Sequence, residues 1–268
     1  MAKYKKKRAR ELQHDRFRDT TMSFFDKLGD RLEGRGRMIL YVLIGIIVAG
    51  LLIVQLVRWS SKKSDEAQQA LGRAITISRA TVSTTPIPGN TDLTFPTDKE
   101  RAQRAIDEFE KVAAKYGDPY RSEARYFIAT NRLVLDRPKG ISELTELQNS
   151  KIEEVSALSK FALAQTYESD GKLDDAARLY SDLTRLNNPS VTAETANLRL
   201  AKVYEKQGKK KEASDLLFNI VDASRKAKDQ DNKPLPQSSA AREAGEELQK
   251  LDPDRHKQLP PETPALAG

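Results

Sequence analysis

Two pairs of adjacent carboxylates, Asp174–Asp175 and Glu153–Glu154, have the composition that general acid–base chemistry requires. Each pair opens a stretch of helical periodicity, where negative charge complements the positive end of the helix dipole, and that role accounts for both. The two histidines, His14 and His256, lie one in the arm and one in the tail, expected on opposite sides of the membrane, and so are not expected to share a metal or a proton-transfer site. There is no cysteine, which excludes a thiolate nucleophile, a disulfide and a zinc–thiolate centre. No Gly-rich phosphate loop, nucleophile elbow or His–Glu metal motif occurs, and the glycines of GDRLEGRGR follow no strand. The chain therefore reads as a non-enzyme. No catalytic, cofactor-binding or metal-ligating residue is assigned, and no cofactor is expected.

One uncharged apolar run, MILYVLIGIIVAGLLIVQLV at 38–57, divides the chain. As a helix it would reach about 30 Å, the thickness of a bilayer's hydrocarbon core. Arg58 and Trp59 end it, giving an expected transmembrane helix over 38–59. Residues 1–37 carry twelve Lys/Arg against six Asp/Glu, so this arm is net +6 in a chain of net +7. Basic flanks stay in the cytoplasm, which places the arm inside and residues 60–268 outside. The basic region is too long for a cleaved signal peptide, and no small-x-small cleavage pattern follows Val57. The cluster KYKKKRAR holds a single aromatic and reads as topogenic, lipid-attracting charge, with no nucleic acid expected. Phe24, Phe25, Leu28 and Leu32 fall at helical spacings and predict an amphipathic helix at the inner membrane surface.

The outer region repeats itself at 37 residues. Leu163, Ala164, Tyr167, Gly171, Lys172, Ala176, Leu179 and Leu183 recur as Leu200, Ala201, Tyr204, Gly208, Lys209, Ala213, Leu216 and Ile220. This order predicts two antiparallel helices that approach closely at Ala164 and Ala176. Gly171 ends the first helix, and Tyr167 and Tyr180 fill the space between them. The pattern resembles the tetratricopeptide (TPR) repeat, with a unit about three residues longer than the usual ~34. It departs from that family in having Lys160, beside Phe161, at the usual Trp position, and Leu217 at the second closing aromatic. Ala105, Phe109 and Val112 supply an earlier second helix, and Ala129 an earlier first helix, while the stretch around SELTELQ reads as degenerate and weakly packed.

The resulting expectation is an all-α chain, a single N-terminal transmembrane helix followed by a tetratricopeptide-like helical solenoid. Residues 60–97 hold a helix and a Thr/Pro linker, 98–225 the repeats, 226–252 a linker and capping helix, and 253–268 a disordered tail. By repeat register Gln165, Glu168, Lys202 and Glu205 face the concave groove that such arrays offer to an extended peptide or a partner's helix.

The juxtamembrane SFFDKLGDRLEGRGR, the span ending in Arg-Trp and the exported repeats together resemble the bacterial membrane-anchored tetratricopeptide proteins described as ancillary SecYEG translocon subunits. The resemblance implies an inner-membrane, single-pass protein with its C-terminal domain in the periplasm. It also implies partners among translocon subunits, periplasmic chaperones and unfolded clients, besides the lipid bilayer. The long basic N-terminus, the Thr/Pro linker and the Pro-rich tail depart from that family. AIDEFEKVAAKYGDPYRSEARYFIA also resembles the tetratricopeptide lipoproteins of outer-membrane biogenesis, which are lipidated at a cysteine that this chain lacks.

Overall fold

In this computed structural model the described residues are 36–84, 93–186, 188 and 190–261. The basic arm and the expected amphipathic helix, apart from the last two residues of 1–37, lie outside them. The chain divides into two units, residues 1–64 and 65–268.

The first unit contains the start of helix α1, Gly36–Ser78. Of the apolar run 38–57, side chains are described at 45–52 and at Gln55, and all of these are exposed. The remaining side chains of the expected span lie outside the described residues. Among the described residues, no helix is long and apolar enough to cross a membrane.

In the second unit the last turns of α1 bury Ala67, Leu71 and Ala74, spaced four and three apart so that they share one face. Leu71 and Ala74 belong to a cluster with Ile106, Phe109, Ala124 and Ile128, so this segment covers the first end of the helical array. The expected linker then makes a two-residue parallel pairing, β1 (Thr81–Val82) with β2 (Thr94–Phe95). Helix α2 (Asp98–Lys115) is capped by Thr97, whose hydroxyl accepts from the Glu100 amide at 3.1 Å. It packs on α3 (Tyr120–Leu135) through a stacked Phe109–Phe127 pair with ring centres 4.9 Å apart.

Helix α4 (Arg137–Leu147) corrects an expectation. The stretch read as weakly packed buries Leu144 completely and Leu147 almost so. Asp136 caps it, accepting from the Lys139 amide, and Pro138 sits in its first turn, where a missing N–H costs nothing. Gly140 makes the contact possible: a Cβ there would lie 2.7 Å from the Leu133 amide nitrogen and 2.9 Å from the Ala129 carbonyl oxygen.

Helices α5 (Glu153–Ser169) and α6 (Leu173–Leu183), then α7 (Ala193–Lys206) and α8 (Lys210–Lys226), are the two copies of the 37-residue unit. Ala164, Ala176 and Ala213 are 0 % exposed and Ala201 1 %, as close helix approach demands. Tyr180 is fully buried, edge-on to Phe161 at 5.8 Å, and Leu217 takes its place in the second copy, whereas Tyr167 is only half-buried. Both turns are built alike. Gly171 and Gly208 adopt φ of +73° and +78°, and the next amide, of Lys172 or Lys209, reaches back five residues to the Tyr167 or Tyr204 carbonyl. That is a Schellman ending, and each lysine also lies over the ring of that tyrosine, at 5.6 and 5.4 Å.

Neighbouring units are tied at a fixed register. Arg137, at the start of α4, donates to Asp170 (2.6 Å) and to the Thr166 carbonyl at the end of α5. The positions 37 residues on are linked too, with Gln207 at the end of α7 donating to Asp174 (2.8 Å) at the start of α6.

Helix α9 (Ser239–Leu251) lays Ala240, Ala241, Ala244 and Leu248 against Leu217 and Val221 of α8. The tail expected to be disordered is ordered at its start. A short α10 (Pro253–His256) is capped by Asp252, Leu259 is buried in the same cluster, and Arg225 donates to the Pro260 carbonyl. Arg255 adds an ion pair with Asp215 and lies over the Phe218 ring, so this Pro-rich segment is held to α8 by several contacts; residues 262–268 lie outside the described residues.

Gly140→Ala should cost about 1–3 kcal/mol by driving α4 from α3. Gly208→Ala should cost about 1–2 kcal/mol through its left-handed backbone. Lys211→Ala, an exposed change, should be nearly silent. Denaturant unfolding of the detergent-solubilised chain checks all three, and equal midpoints would contradict the packing described.

Candidate functional site

In each unit the first helix carries the expected groove positions. On α5, Gln165 is exposed to solvent. Glu168, one turn on, has a side chain only 14 % exposed, and it accepts from the Tyr180 hydroxyl at 3.2 Å and from Lys206 of α7. On α7, Lys202 donates to Glu243 of α9, while Glu205 is exposed. The structure joins none of the four to another. Glu168 and Lys202 are instead the ends of two ion pairs that cross from one first helix to the next, Glu168–Lys206 and Lys202–Glu243.

These pairs involve residues that the sequence did not single out. Lys206 follows Lys202 by four residues and so shares its face of α7, a signal legible in the spacing. Glu243 carried no such signal, because α9 follows a twelve-residue connection that no longer keeps the 37-residue register.

The electrostatics follow from these contacts. The hydrogen bond from Lys202 is the main cause holding the Glu243 carboxyl below its ordinary range, aided by the charges of Lys202 and Arg199. Burial, and then the charge of Glu168, push the Tyr180 phenol far above its ordinary value, so it remains a hydrogen-bond donor. On α3, burial raises Glu123, and the Glu154 carboxylate of α5 raises it further; burial alone raises Tyr126. These shifts follow from burial and from charges brought together by neighbouring helices. Among the described residues no group of His, Asp or Glu side chains is placed to hold a metal ion.

The pairs of antiparallel helices, the Schellman glycines and the alanine contacts identify the architecture. It is a TPR-like helical solenoid. No family model matches the chain, and no curated protein matches it. Among solved structures it is similar to nearly identical TPR-like repeats assigned to a Podosopora anserina kinesin light chain. The identity is 18 % and the TM-score 0.44, over 59 % of this chain and 81 % of that one.

The Glu243 shift has a definite sign. Its folded pKa lies below the ordinary 4.5, so the stabilisation is present above pH 4.5 and is lost as pH falls through the folded value. In Lys202→Met the Glu243 carboxyl should titrate nearer its ordinary range in carbon-detected NMR. An unchanged titration would show that Lys202 does not hold it.

Proposed function

We propose that this chain is a membrane-tethered interaction scaffold whose TPR-like domain binds protein segments outside the cytoplasm, beside the protein-export channel. The observation that carries the tether is the exposure of Ile46, Ile47, Val48, Leu51 and Leu52, 48–65 % each, within seven consecutive residues. Such side chains, spread around a helix, are covered by lipid or by a partner and not left to water. The length of the apolar run and the +6 arm before it support a single pass with the N-terminus in the cytoplasm. A tether also raises the effective concentration against any membrane partner, so individually weak groove contacts suffice.

Translocon subunits, periplasmic chaperones and emerging clients are the partners that the sequence resemblance suggests. The second reading, an envelope-assembly scaffold, rests on the α2–α3 stretch that resembles outer-membrane biogenesis lipoproteins. Gln165 and Glu205 are the groove side chains that remain exposed, so they are the places to disturb binding without disturbing the fold.

Crosslinking in native membranes followed by mass spectrometry should recover channel subunits or periplasmic chaperones. The double variant Gln165→Arg, Glu205→Arg should reduce that recovery while leaving the melting temperature within about 2 °C. Recovery of outer-membrane assembly factors alone would favour the second reading. A reporter fused after residue 62 that is active in the cytoplasm would overturn both.

A further inference from the structure

Three cations, Arg199, Lys202 and Lys206, follow one another along α7 at spacings of three and four residues, so they share the face that register assigns to the groove. Two of them are engaged. Lys206 and the Tyr180 hydroxyl donate to the two oxygens of Glu168, and Lys202 donates to Glu243. Arg199 is different. Its side chain is half-buried, and among the described residues it makes neither an ion pair nor a hydrogen bond. Its charge acts on the Tyr180 phenol and on the Glu243 carboxyl, so it stands within electrostatic reach of α6 and of α9. The fold does not call for a long side chain at this position. One repeat earlier it is Ala162, 8 % exposed. A guanidinium carries five N–H donors in a planar fork that matches a carboxylate through two parallel hydrogen bonds. Where water is partly excluded, such a pair gains more than it would in open solvent.

We propose that Arg199 anchors a carboxylate side chain, Asp or Glu, of a protein segment lying along this groove. The anchor rests on the scaffold reading above and specifies one side chain of the partner. Charge complementarity carries it. Of the three cations in this row two have carboxylate partners and one has none, so the unmatched charge sits on Arg199. Glu205 sets the register of the segment. It is exposed and six residues on, about 9 Å along the helix axis, so it would repel a second carboxylate brought to its own end of α7. The acidic side chain therefore belongs at the Arg199 end.

The test takes detergent-solubilised full-length protein and three acetylated peptides. Ala-Ser-Ala-Glu-Ala-Ser-Ala amide carries the carboxylate, and the same amide with Gln for Glu lacks it. The Gln peptide with a free C-terminus moves the charge to the chain end. Dissociation constants are read from the α7 backbone amides by NMR, so that binding to the basic arm is not counted. The Glu peptide should bind about tenfold tighter than the Gln amide. Arg199→Gln should abolish that preference, whereas Lys111→Gln, on α2, should keep it. No preference in the unaltered protein, or one that survives Arg199→Gln, would overturn the proposal. A free-acid Gln peptide that bound as tightly as the Glu peptide would also overturn it, assigning Arg199 to a chain terminus. Any of these results, with channel subunits or chaperones still recovered by crosslinking, would leave the scaffold reading in place.

Discussion

Everything in the repeat domain depends on how closely two antiparallel helices can approach, and alanine sets that distance. Ala164, Ala176, Ala201 and Ala213 are almost wholly excluded from solvent, and small side chains at these buried positions are what let the paired helices pack closely. Close approach in turn fixes the rest of the unit. The first helix must end abruptly, which Gly171 and Gly208 allow by entering the left-handed region, and the chain must reverse within a few residues. The remaining space at the open end of each pair is then filled by one large side chain, Tyr180 in one copy and Leu217 in the other. Because the same geometry recurs after 37 residues, so do the contacts between units, even where the residue types change. Arg137 with Asp170 and Asp174 with Gln207 join the same two positions with donor and acceptor exchanged.

That recurrence explains what the sequence made legible. Small residues, a turn glycine and a tyrosine at constant spacing are local features, and the two complete pairs follow from them. Helix α4 was harder to read because its contact is made by backbone. Gly140 reads as a helix breaker, yet its missing Cβ is what lets α4 lie against Leu133 and Ala129. The start of the tail was misread for a related reason. Prolines and charges suggest disorder, but Leu259 finds a hydrophobic cluster assembled from α7, α8 and α9, which no local pattern announces. At the groove, register gives the helix and the turn of Gln165, Glu168, Lys202 and Glu205 but says nothing of what stands opposite. Glu168 and Lys202 are drawn to Lys206 and Glu243 on neighbouring helices, residues 38 and 41 positions away.

The functional consequence is a division of labour within one face. Glu168 and Lys202 spend their charge on holding adjacent first helices together, leaving Gln165 and Glu205 as polar positions open to a partner. A partner that engaged the paired charges would have to break an ion pair first, whereas one that used Gln165 and Glu205 would not. Such a surface favours modest, adaptable binding, which suits the tethered scaffold proposed above.

The central claim is that stability in this domain is built from like units coupled to their neighbours. Hydrogen exchange on Ala164→Leu tests it most directly, since an oversized side chain at one crossing forces apart one helix pair. The account predicts that protection falls mainly in α5 and α6 and to a smaller degree in α4 and α7, while α2 and α9 keep theirs. A uniform loss of protection from α2 to α9 would contradict it, showing a single cooperative core in which no repeat has stability of its own.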